Sequence, residues 1–64
     1  MRPWYTVHED YRGEIIVSSF GGRTKTEERQ YALSCSAKVH HIGRDHDEAQ
    51  KIADELRKTA RAAR

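Results

Sequence analysis

The side chains able to do chemistry in this 64-residue chain form three groups. His40, His41 and His46 sit near Asp45 and Asp47; Cys35 is the single thiol; and arginines and lysines recur beside aromatic residues. Zinc takes His and Cys in tetrahedral sets, and structural sites supply four ligands at short recurring spacings. None of those spacings occurs, and adjacent histidines on a strand are expected on opposite faces, which splits the pair His40 and His41. No metal site is therefore expected. His46 falls at a helix start, where the macrodipole disfavours its cation and a role as a pH switch. Cys35 falls on the apolar phase of an alternating run and reads as a buried, inert thiol, with no base assignable to it. Glu9, Asp10, Glu27 and Glu28 lie in polar segments beside Arg12, Arg23 and Arg29 and read as solvated charge. Gly21-Gly22 lacks the further glycine and the Lys-Ser/Thr of a phosphate loop. The expectation is no catalytic residue, no metal and no cofactor, hence a binding protein and not an enzyme. A core this small can hardly enclose a deep pocket and also support a catalytic constellation.

Length and composition agree. At 64 residues the chain makes one small domain, 1–64, which buries only about 60% of the surface its unfolded form exposes. Apolar residues make up 36% and charged residues 34%, a polar balance whose ordered patterning argues for a folded chain. No apolar run reaches the roughly 18 residues of a membrane span, and the start MRPWYTVHED lacks the apolar stretch of a secretory signal. One cysteine cannot form an internal disulfide, so a reducing cytoplasm is the expected location.

The elements that would carry these side chains follow from periodicity. Trp4 to His8 is aromatic and β-branched, with Pro3 ahead of it, and predicts a strand over about 4–8. The polar EDYRG segment ends in Gly13, and a β-branched run then predicts a second strand over about 14–20. Gly21-Gly22 supplies the positive φ of a tight reversal. Tyr31, Leu33, Cys35, Ala37 and Val39 alternate with polar residues, which predicts a third strand over about 30–41, with RTKTEER as its start or a loop. Asp45 and Glu48 have capping-box spacing. Ala49, Ile52, Ala53, Leu56, Ala60 and Ala63 form one stripe of an amphipathic helix over about 46–63. The expected fold is α+β: a three-stranded antiparallel sheet packed against one C-terminal helix, β-β-β-α, with Leu33, Val39, Ile52 and Leu56 as core.

Binding side chains then fall on turns and the helix end. Net charge is only +2, and the excess lies in residues 1–44, where seven Lys and Arg face five Asp and Glu. Arg12, Arg23, Lys25, Arg29, Lys38 and Arg44 along the sheet and turns, with Arg57, Arg61 and Arg64 on one sector of the helix, could neutralise several phosphates. Trp4, Tyr11 and Phe20 are either caps on the small core or interface anchors.

This order of three strands and a helix resembles, in architecture alone, the arm-binding domains of phage integrases and the β-β-β-α part of double-stranded RNA-binding domains. The RNA-binding family places a basic cluster at the start of its last helix, where this chain reads DHDEAQ, so DNA is favoured. The integrase resemblance implies a sheet entering the major groove through Arg12, Arg23, Lys25 and Lys38. The expected partner is nucleic acid or a nucleic-acid-binding protein complex. The alternative is a phage or mobile-element inhibitor, since the chain is similar in size and build to small anti-CRISPR proteins that act by protein contact. An open strand edge offers a route to a homodimer.

Overall fold

The computed structural model describes residues 3–62, with side chains through Ala60. Its elements are β1 (Tyr5–Glu9), β2 (Ile15–Ser18), α1 (Lys25–Cys35), β3 (Lys38–Gly43) and α2 (His46–Ala62). The class is α+β, and the sheet is antiparallel in the order β2-β1-β3. The order of elements is β-β-α-β-α: a second helix stands where a long third strand was expected.

β1 and β2 form the expected hairpin, in register from Thr6 opposite Ser18 to Glu9 opposite Ile15. Its turn closes by Gly13 N donating to the Asp10 carbonyl (3.1 Å) and Asp10 N donating to the Glu14 carbonyl (3.0 Å). The Asp10 carboxylate accepts from Arg12 N and Glu14 N, both at 2.9 Å. Gly13 has φ +87°, which glycine adopts without the Cβ penalty.

Residues 25–35 form α1, which overturns the first half of the strand expected over 30–41; its last residues, 38–41, do belong to β3. The alternation of Tyr31, Leu33 and Cys35 is real in the sequence but does not mark a buried face. Leu33 is 53% exposed, and Tyr31 and Cys35 are exposed as well. What decides is the cap. Thr24 is extended and its hydroxyl accepts from Glu27 N at 3.1 Å, while Glu27 reaches back to Arg23 N at 3.3 Å. Thr24 and Glu27 have capping-box spacing, concealed inside a segment that reads as charged loop. α1 buries only Glu28 and Ala32, one turn apart. β3 follows after two residues. It pairs with β1 across an irregularity between Val7 and His8, where His40 is the extra residue. As a result His40 and His41 do not split as expected. His40 meets Glu9 at 3.3 Å and His41 approaches Glu48 of α2 at 3.9 Å, both on the α2 side.

α2 forms as its stripe predicts, with the Asp45 carboxylate accepting from Glu48 N at 3.2 Å. The expected end at Ala63 lies outside the described residues. The core between α2 and the sheet is Val7, Ile15, Ala49 and Ala53, with Tyr5, Val17, Ile52 and Leu56 packed around it. Ile52 and Leu56 thus have their expected place. Leu33 does not, and Val39 is half-buried opposite His8.

Alternate residues of β1 face opposite ways. Tyr5 and Val7 face α2, whereas Thr6 and His8 face α1, which packs on β3 and β1. The layers are therefore α2, sheet, α1.

Candidate nucleic-acid interface

The α1 side of the sheet is polar and closed. Glu28 is fully buried, and its carboxylate accepts from the Thr6 hydroxyl (2.8 Å), Phe20 N (2.9 Å) and Gly22 N (2.9 Å). A Cβ on Gly22 would collide with the Glu28 backbone, so only glycine lets the loop close on that carboxylate. Next to this pair His8 bonds Ser18 through Nε2 (2.9 Å) and Ser36 through Nδ1 (2.7 Å), with Phe20 edging its ring at 5.3 Å. Burial pushes the His8 pKa below 6.5, against an opposing pull from Asp10. Among the described residues no buried side-chain nitrogen or oxygen lacks a partner.

This arrangement overturns the sheet as a reading surface. The face away from α2 carries α1, and Thr6 and His8 lie beneath it, out of reach of a groove. Glu28, expected in solvent, is instead what docks α1.

Docking through Glu28 and Ala32 determines what α1 shows to solvent. At about 100° per residue, Lys25, Arg29, Leu33, Thr26 and Gln30 fall within an arc of about 140° that begins beside Ala32 at the edge of the docked face and runs round to the side away from the sheet. All five are exposed, as is Arg23 just ahead of the helix. The two acids of α1 are withdrawn from that arc. Glu28 is buried, and Glu27 sits half-buried on the flank, accepting from Arg23 N and from the Tyr31 hydroxyl at 3.0 Å. That bond raises the Tyr31 pKa above 10. One side of α1, from Lys25 round to Gln30, is thus basic and polar, and Glu27 stands beyond it with its carboxylate engaged by Arg23 N and the Tyr31 hydroxyl.

A second cation adjoins its N-terminal end. Arg44 lies over the Trp4 ring, 4.4 Å from the centroid, and the Trp4 Nε1 donates to the Arg23 carbonyl at 3.5 Å. Such stacking orients a guanidinium while leaving its donors available. Trp4 is half-buried and serves this stack. In the sequence Arg44 counts only as one more charge on the sheet and turns, because no local pattern links it to Trp4; their juxtaposition comes from β1 and β3 pairing at Tyr5 and Gly43.

The remaining expected binding residues lie elsewhere. Tyr11, 80% exposed, and Arg12 sit on the hairpin turn, beyond the other end of β1, about 13 Å of strand away. Arg57 donates to the Ile15 carbonyl at 2.8 Å and to Asp54 at 3.0 Å, so its guanidinium is committed to the fold. The Arg61 side chain and Arg64 lie outside the described residues. Phe20 is half-buried against His8. The structure therefore brings together Arg23, Lys25, Arg29 and Trp4, and separates them from Tyr11, Arg12 and Arg57.

Other chemistry finds less support. Among the described residues no three His, Cys, Asp or Glu side chains gather as a metal-ligand set. A shallow, open cleft of about 350 Å³ at the start of α2 is lined by Pro3, Tyr5, Arg44, Asp45, His46 and Asp47. Its cation and acids give it no single charge preference. No described helix is long and apolar enough to cross a membrane.

In comparisons with known proteins, no family model, no curated protein and no solved structure matches this chain.

Proposed function

We propose that this protein is a non-enzymatic binding protein that engages nucleic acid, DNA foremost, through the outer face of α1. The observation that carries this reading is the segregation of charge on that helix: Arg23, Lys25 and Arg29 are exposed, while Glu28 is buried and the half-buried Glu27 is held by Arg23 N and the Tyr31 hydroxyl. Phosphate binding depends on local positive potential, which a net charge of +2 over the whole chain understates. The exposed side of α2 offers no equivalent, since Asp47, Glu48, Asp54 and Glu55 alternate there with Lys51 and Lys58.

The test is fluorescence anisotropy with a labelled 20-base-pair DNA at several salt concentrations. Binding falls steeply with salt, with a log-log slope of about −3 if the three cations each displace a counterion. Arg23→Ala, Lys25→Ala and Arg29→Ala each weaken it several-fold, while Arg12→Ala and Lys51→Ala leave it unchanged. Loss at Arg12 with none on α1 would overturn the placement, and absence of binding at low salt would overturn the function. A protein partner is the second reading, favoured by Leu33, an exposed leucine in the middle of the same face. In that case binding to the partner concentrates in Leu33 and one arginine and depends weakly on salt.

A further inference from the structure

We infer that the ligand of the α1 face is B-form duplex DNA, entered through the major groove, with Thr26, Arg29 and Gln30 reading base edges and Arg23, Lys25 and Arg44 holding phosphates. This rests on the proposed function and narrows it to one form of nucleic acid and one docking geometry.

Three features of the molecule lead there. The first is shape. α1 stands on the outside of the sheet, packed on β3 and β1, and among the described residues no other element lies over it. A free helix with its side chains is about 10–12 Å across, matching a major groove about 12 Å wide. Its eleven residues extend about 16 Å, enough to follow roughly half a helical turn of DNA. The deep, narrow major groove of A-form RNA would not admit it.

The second is the chemistry of the arc. Arginine pairs bidentately with guanine O6 and N7, glutamine with adenine N6 and N7, and threonine or an apolar side chain contacts the thymine methyl. Arg29, Gln30, Thr26 and Leu33 are those residue types on adjacent positions of one exposed face. A surface evolved for phosphate alone would need only cations there.

The third is the division along the helix axis. Arg23 precedes α1 and Arg44 stands on Trp4 at the same end, whereas Arg29 and Gln30 occupy the middle of the helix. Cations at one end and base-reading types in the centre match a helix whose middle is in the groove while its end meets the sugar-phosphate wall. An aromatic platform for single strands would instead expose ring faces. Here Arg44 covers one face of Trp4 and Phe20 is packed on His8, while the exposed Tyr31 is tied to Glu27 and the exposed Tyr11 stands apart on the hairpin turn, so the rings form no row.

The deciding experiment has two parts. Anisotropy titrations compare duplex DNA, the corresponding single strand and duplex RNA at one salt concentration. A selection from a randomised DNA duplex library then compares the parent with Lys25→Ala, Arg29→Ala and Gln30→Ala. All three side chains are exposed and leave the fold intact, as circular dichroism checks. Duplex DNA is expected to bind at least tenfold more tightly than either alternative. The parent is expected to enrich a short motif that Arg29→Ala and Gln30→Ala each lose at one position. Lys25→Ala is expected to keep the motif while binding all sequences more weakly and with a shallower salt dependence. Equal binding of single strand or duplex RNA, or no enriched motif, overturns the groove assignment while leaving the α1 face as a nucleic-acid site. Absence of binding to all three overturns both.

Discussion

The two sides of this sheet hold their helices by different means. On one side α2 is docked by volume: Ala49 and Ala53 lie flat against Val7 and Ile15, and Ile52 and Leu56 fill the flanks. On the other, α1 is docked by polarity, with Glu28 accepting three hydrogen bonds and only Ala32 as buried apolar area on the helix. An apolar interface needs a stripe, so it commits many positions along a helix. A satisfied carboxylate needs one position and leaves the rest of the helix free. That freedom is what lets α1 leave Lys25, Thr26, Arg29, Gln30 and Leu33 together in solvent.

The sharpest way to break this contrast is to remove the carboxylate. Glu28→Ala strands the Thr6 hydroxyl and two backbone N–H groups in a closed layer and should cost about 3–5 kcal/mol, enough to unfold much of so small a domain. Glu28→Gln keeps one acceptor and opposes another N–H with its amide, so it should lose less. Urea denaturation followed by circular dichroism checks both, and a Glu28→Ala midpoint matching the parent would mean that α1 is docked otherwise. On the apolar side Leu56→Ala should cost about 1–3 kcal/mol, below the range for full burial because Leu56 is only partly enclosed.

His8 tests the polar layer through pH. Its folded pKa lies below the 6.5 of the unfolded chain, so the unfolded state takes up a proton first as pH falls. The stability His8 contributes is complete above pH 6.5 and is lost as pH drops from there toward its folded pKa. His8→Gln should flatten the fall in melting temperature between pH 7.5 and 5.5. An unchanged slope would show that the acid sensitivity resides elsewhere. The smallest effect belongs to Leu33→Ser, within about 0.5 kcal/mol of the parent by denaturation, because an exposed helix position contributes little to stability. A loss above 2 kcal/mol would restore Leu33 to a core.

The same contrast explains what could be read from the sequence. The first hairpin, α2 and the anchors Ile52 and Leu56 were legible because an apolar period repeats along them. α1 was not, because its docking residue is a glutamate and its apolar positions Tyr31, Leu33 and Cys35 imitate a strand while facing water. The Thr24 and Glu27 pair was the available signal, and a rule seeking caps before alternation would have found it. Arg23, Lys25 and Arg29 were picked out by charge without the helix that carries Lys25 and Arg29 and begins just after Arg23. Arg44 joins them only through the pairing of β1 with β3, a contact that no local pattern encodes.

The bond from Arg57 to the Ile15 carbonyl has a consequence beyond docking α2. With Asp10 and Glu14 bonded across the hairpin, the bonded and unbonded pairs alternate so that Ile15 and Val17 aim their backbone groups away from β1. Those groups are the template on which another chain could grow an intermolecular sheet. One guanidinium hand laid over the first carbonyl turns an open edge into a guarded one, and it does so from a different element. The edge is thus guarded by a residue whose charge suggests ligand binding. Concentrated Arg57→Ala protein should self-associate in light scattering where the parent stays dispersed.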